Sequence, residues 1–198
     1  MDIHDLHRRA LVLATGAVAA VDPDRLDLPT PCDGWTLRRL LEHMVGQNHG
    51  FADAARGDGD DLARWADRPL GDRPADTWRA SADEVAAAFA AAGPGAVLRI
   101  PEIRPGTDFP VDRAVSFHFL DLLVHAWDVA TTVGHPVEVD EDLAVALLDI
   151  AGLVPADPAY RATAGQFGAV VETGPGASAF DRALALLGRD PAWAPAPA

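Results

Sequence analysis

The chain has 198 residues, enough for one domain or one domain with a small appendage, and 49% of them are hydrophobic, enough for a sizeable core. Its 30 acidic residues against 16 basic ones give a net charge of −14, and no basic cluster interrupts the pattern. That balance excludes general attraction to phosphate backbones or to anionic lipid, so neither nucleic acid nor membrane is expected as a partner.

The single cysteine, Cys32, excludes a disulfide framework and suits a reducing compartment. The opening MDIHDLHRRA lacks the apolar core of a signal peptide, and no apolar run reaches bilayer length, so a cytoplasmic protein is expected.

Ile3, Leu6, Ala10, Leu13, Ala14, Ala17 and Val21 recur at helical spacing and predict a first helix over 3–21, with His4 and His7 at the surface of its first turns. LDLPTPCDGWT, with two prolines and an Asp-Gly, reads as a loop in which Cys32 is a small apolar plug; Thr36 is the N-cap of a second helix from Leu37 to about Arg56. Residues 57–74 are polar, acidic and punctuated by glycine and proline, with Trp65 their only large aromatic, and read as a mobile loop. A third helix is predicted over 75–92, a short strand or extended link at 96–100, and a turn-rich connection over 101–110. A fourth helix over 111–133 stops at Gly134-His135-Pro136, and a more peripheral fifth covers 140–153. Beyond it, Pro- and Gly-rich segments carry a strand at 167–172 and a short helix at 179–187. The sum is a mainly α protein: a helical bundle over 1–155 with a short irregular α/β extension over 156–198 packed on it.

The fourth helix concentrates the chemistry. In FHFLDLLVHAWD, His118, Asp121 and His125 fall within ~60° of one another on the helical wheel, yet the opposite side is apolar too, with Leu120, Leu123, Val124 and Trp127. A helix apolar nearly all round is a buried one, so its polar residues need partners. Asp121 and His125 are four apart, about 6 Å along the axis, a spacing at which two side chains can grip one metal ion. A third ligand must come from elsewhere; His43 on the second helix lies on a buried-type face with Gln47, Gly46 and Gly50. Asp128 is placed to orient His125 from behind, and His118 is open between ligand, supporting group and cavity wall. By spacing alone, a catalytic-type metal site and a buried Asp–His hydrogen-bond network remain alternatives.

Three stretches, PTPCDGWTLRRLLEHMVGQN, DLLVHAWDVATTVG and FDRALALLGRDPAW, resemble in the same order the metal-binding family grouped with mycothiol-dependent maleylpyruvate isomerase, within the wider DinB/YfiT-like superfamily. The resemblance implies an up-down-down-up four-helix core and a divalent metal, zinc or nickel, held by the matching residues His43, Asp121 and His125. The carboxylate position resembles a glutamate in the isomerase and is aspartate here. The implied activity is S-transfer or isomerisation, in which an open metal site activates a thiol such as mycothiol against a small electrophile. A metal-dependent hydrolase and a non-catalytic metal-binding module, associating as a homodimer through an exposed helix face, are the alternatives.

Overall fold

The computed structural model describes residues 2–135 and 137–195. Met1, Pro136 of the expected Gly-His-Pro stop, and 196–198 at the end of the expected extension lie outside them. The described residues form α1 (Ile3–Ala19), α2 (Leu37–Ala55), α3 (Pro74–Ala91), β1 (Val97–Arg99), β2 (Asp108–Pro110), α4 (Val111–Val133), α5 (Glu141–Ala151), α6 (Pro158–Ala164) and α7 (Ala179–Leu186). Side-chain caps start four of the described α-helices: Asp2 accepts from the backbone N–H of His4, Thr36 from that of Arg39, Asp157 from that of Tyr160 and Ser178 from that of Asp181. Gly134, with φ 73°, ends α4 in the left-handed conformation.

Contacts fix the directions of the four long helices. His4 meets Asp112 at 3.0 Å and His7 meets His118 at 2.8 Å, so α1 and α4 run parallel. His43 lies against His125 and Phe51 against His118, so α2 opposes α4. The Trp78 indole N–H donates to Thr15 and Phe89 packs on His7, so α3 opposes α1. Asn48 bonds Ser81 and Phe51 packs on Phe89, so α2 and α3 are parallel neighbours. This is the up-down-down-up bundle. Val115, Phe119, Leu122, Leu123, Ala126 and Val129 of α4 are all fully or almost fully buried, in keeping with an apolar surface all round.

Parallel neighbours cannot be joined by a short turn. The chain leaving α2, a helix of 19 residues and thus about 28 Å long, must travel back to where α3 begins. Residues 57–74 make that journey as a packed strap, not the mobile loop that composition predicts. Trp65 is 1% exposed and donates its indole N–H to the Gly59 carbonyl at 2.9 Å. Arg64 pairs with Asp53 at 2.8 Å, and the Arg68 N–H donates to the Glu42 carbonyl at 2.9 Å.

Other expectations also shift. Val97–Arg99 is a strand, but its partner Asp108–Pro110 comes from the segment read as a connection, closing a two-stranded antiparallel hairpin. Residues 167–172 form no strand: a single Val171 N–H to Ala185 carbonyl bond ties the stretch to α7. Proline at the first turn and Asp157 as N-cap start α6, which the periodicity did not announce. His7, expected at the surface, is buried with its Nε2 2.8 Å from His118 Nδ1, Phe89 packing on His7 and Phe51 on His118.

Two outcomes follow. A Cβ on Gly50 would lie 2.5 Å from the Trp65 ring. Gly50→Ala should therefore lower the urea midpoint, its overpacking cost of about 1–3 kcal/mol outweighing the roughly 1 kcal/mol that alanine gains over glycine in a helix. Burial, with the charge of His118, pushes His7 down to about 2, and burial pushes His118 down to about 4. Both are therefore neutral in the fold, and below about pH 6.5 only the unfolded chain takes up their protons. The share of the metal-free protein's stability that comes from these two histidines should be complete above that pH and fall by about 1.4 kcal/mol per pH unit for each histidine as pH drops toward 4. Denaturant titrations of wild type and of the His7→Leu, His118→Leu double variant should show the slope flattened in the variant.

Candidate metal centre

α4 is buried over most of its surface: its His125 and Asp128 are buried and must find partners within the protein, while Asp121, 27% exposed, stands at the edge of a cavity. His125 stands between two carboxylates. Its Nδ1 donates to Asp128 Oδ2 at 2.8 Å, and its Nε2 lies 3.4 Å from Asp121 Oδ1. His43, from the facing side of α2, places its Nε2 3.9 Å from the same Asp121 oxygen. One donor atom from each of His43, Asp121 and His125 lies within 4.8 Å of the other two. Trp35, from the loop before α2, sets its ring edge-on against His43 and stacks on His125.

A second donor set, Cys32 with His125 and Asp128, uses the other face of the same imidazole. The two faces differ in charge. On the Nδ1 face, the Arg189 guanidinium lies 3.1 Å from Asp128 Oδ2 and 3.0 Å from Cys32 Sγ, and Cys32 donates to Asp128 at 3.1 Å. That face already holds its cation, and a second would be repelled. On the Nε2 face, Asp121 has no lysine or arginine within 4.0 Å among the described residues. This face opens onto a cavity of about 850 Å³, lined by His43, Gln47, Asp67, Glu102, Asp121 and His125 together with apolar residues of α4, α5 and the C-terminal segment.

The ionisation states follow. Burial alone would raise Asp121, but the charge of His125 and hydrogen bonds from His125 and His43 outweigh it and hold the carboxyl well below its usual range. Burial would lower His125, but Asp121, with hydrogen bonds to Asp121, Asp128 and Cys32, raises it well above an ordinary histidine. Asp128, fully buried, is held below its usual range because Arg189 and His125 overcome desolvation. Burial raises Glu102, against the opposing hydrogen bond from Gln47.

His43, Asp121 and His125 come together at the cavity, Gln47 stands beside them donating to Glu102 Oε2 at 2.9 Å, and Asp128 stands behind His125. His118 turns to His7 and is not part of the cavity lining. Sequence reasoning missed Asp67, whose Oδ1 lies 3.4 Å from His43 Nδ1, and Arg189. Arg189 does sit in the quoted LLGRDPAW, although nothing in the spacing tied it to α4. Cys32 is buried as a plug would be, but with polar partners on three sides.

The donor set fits a divalent cation: two imidazole nitrogens and one carboxylate, one imidazole already fixed by a carboxylate on its far nitrogen, and room for further ligands.

Comparison with known proteins agrees with this architecture. The chain is 32% identical over 148 residues to the uncharacterized protein Rv0738 of Mycobacterium tuberculosis strain H37Rv and to the uncharacterized protein MT0763 of strain CDC 1551, covering 73% of this chain and 75% of each relative. Crystal structures of mycothiol-dependent maleylpyruvate isomerase share the fold, with TM-scores of 0.57 for the enzyme and 0.59 for a histidine-to-alanine mutant. In each case identity is 12%, with 75% of this chain and 68% of that one covered. No helix among the described residues is long and apolar enough to cross a membrane. The profile described as the mycothiol maleylpyruvate isomerase N-terminal domain matches residues 7–130, and the chain belongs to that family.

Proposed function

We propose that His43, Asp121 and His125 hold a divalent metal ion, zinc or nickel, and that the protein presents a small thiol of the mycothiol type to an electrophile in the adjoining cavity, in an S-transfer or cis–trans isomerisation. The observation that carries this reading is the meeting of the three donors at the cavity on the Nε2 side of His125, while its Nδ1 side is occupied by Asp128 paired with the Arg189 guanidinium. A bound divalent ion supplies the positive charge that lowers a thiol's pKa and so makes thiolate, the nucleophilic form, available at neutral pH.

The chain's own residues do the rest. Asp121 contributes the negative charge of the donor set, and His43 and His125 the two nitrogens. Asp128 fixes the tautomer of His125 by accepting from its Nδ1–H, so that Nε2 is the nitrogen facing the cavity. Trp35 covers both imidazoles and keeps water from that side. The Arg39 guanidinium lies 4.4 Å over the Trp35 ring and meets the cavity as a fixed positive charge for an anionic group on the ligand. The segment after the bundle acts here as a wall of the same cavity, through Tyr160, Phe167 and Arg189. The expected setting is the cytoplasm, where small thiols stay reduced.

Protein purified without chelator should carry about one zinc or nickel ion per chain by elemental analysis. His125→Ala and Asp121→Ala should each abolish that content while leaving the helical circular dichroism in place. Metal-loaded protein should either consume mycothiol in transfer to a small electrophile or isomerise a cis-alkene electrophile with mycothiol returned unchanged, and chelation should stop either reaction. Full metal content in either variant would remove that residue from the ligand set. A loaded wild type inert toward every thiol–electrophile pair would leave a metal-binding module without turnover.

A further inference from the structure

The proposed ligand His43 differs from His125 in what stands behind it. His125 is backed by Asp128 of its own helix, in the core. Behind His43 is Asp67, carried by the strap that returns from α2 to α3. The strap is fixed on both sides of that residue. Trp65 is buried against Gly50, and the Ala66 carbonyl lies so close to Gly46 that a Cβ there would sit 2.5 Å from its oxygen. On the other side, the Arg68 N–H donates to the Glu42 carbonyl at 2.9 Å, one residue before His43. Asp67 is held between these anchors, with its Oδ1 3.4 Å from His43 Nδ1 and its side chain lining the cavity.

Two glycines inside one helix each cost about 1 kcal/mol against alanine. Both are used here for a single purpose: they let the strap lie directly on α2, three and seven residues after His43 on the same face of the helix. Docked in this way, the strap brings a carboxylate to the one nitrogen of His43 that does not face Asp121.

We infer that Asp67 is a positioning residue for His43, and that docking of the strap onto Gly46 and Gly50 is thereby coupled to metal affinity. The inference rests on His43 being a metal ligand. In the loaded protein His43 uses Nε2 and its Nδ1–H donates to Asp67, which orients the ring and increases its basicity as a ligand. The strap is then both the return link between parallel helices and part of the support of the site.

The test is Zn(II) affinity, measured by competition against a chromophoric chelator, for wild type, Asp67→Asn, Gly50→Ala and the double variant. Asp67→Asn keeps the size of a side chain that is 44% exposed, so the fold should tolerate it. Its dissociation constant should rise about tenfold, the lower end of the effect of removing such a carboxylate. Thermal unfolding of its metal-free form should match wild type. The Co(II)-loaded variant should show a shifted ligand-field absorption, which a purely structural change away from the site would leave in place. Gly50→Ala, by lifting the strap, should weaken binding to a similar degree, and the double variant should add little to either single one. Wild type and Asp67→Asn agreeing within twofold, with unchanged Co(II) spectra, would overturn the inference alone. A wild type that takes up no Zn(II) would overturn the metal reading, and this inference with it. Full additivity in the double variant would uncouple the strap from Asp67.

Discussion

A fully buried carboxylate, Asp128, is the constraint on which the rest of the structure depends. A charge in that position costs several kcal/mol unless it is paired and hydrogen-bonded. It is met on one side by His125 three residues away and on the other by Arg189, which arrives from the end of the C-terminal segment. The first contact fixes the imidazole so that one named nitrogen faces the cavity. The second draws residues after α7 against the bundle, where Arg161 donates to the carbonyls of Pro155, Gly168 and Leu186 and holds the same segment together. A single aspartate on α4 thus governs both the aim of a candidate ligand and the docking of the last part of the chain.

Helix order imposes a second constraint of a different kind. Because α2 and α3 lie side by side and point the same way, the link between them must run the length of the bundle. A link of that length left free would keep its conformational entropy, so ordering it, at about 1–2 kcal/mol per residue, needs a return in contacts. Burying Trp65 and Leu70, both at most 2% exposed, recovers apolar contact and fixes its path over α2. The path passes His43. Topology, more than local sequence, accounts for an acidic side chain beside that histidine.

Periodicity made the five longer helices legible, because each has one dominant apolar stripe or, in α4, apolar residues on every side. It also showed that Asp121 and His125 share a face, because spacing of four residues is geometry that a helix enforces wherever it sits. His43 was legible as a residue on an inward face, and the family resemblance matched it to the other two. Partners chosen by docking were not legible. Nothing in the spacing of α1 indicates that His7 will meet His118, since the pairing depends on α1 and α4 running parallel in one register. Asp67 lay in a stretch whose polar composition described a free loop, and the cue that opposes that reading is Trp65, a residue too large to leave in solvent, opposite two helical glycines. Pro158 and Asp157 were the available signs of α6, but a helix of seven residues is too short to show a period.

The two faces of His125 differ in the charge that a cation would meet. Around Nδ1, one carboxylate meets one guanidinium, and the thiol of Cys32 completes the hydrogen bonding. Around Nε2, Asp121 faces two imidazoles, with Asp67 and Glu102 also on the cavity wall. In the metal-free chain the charge of Asp121 is balanced by keeping a proton on His125, which accounts for the opposite displacements of their ionisation. A divalent ion would take over that balancing role and release the proton, and it would do so where the donors are already within 4.8 Å of each other. The shorter reach of aspartate than glutamate is compatible with this, because Asp121 sits one helical turn from His125 and directly between the two imidazoles, so the donor atoms need little additional length to meet.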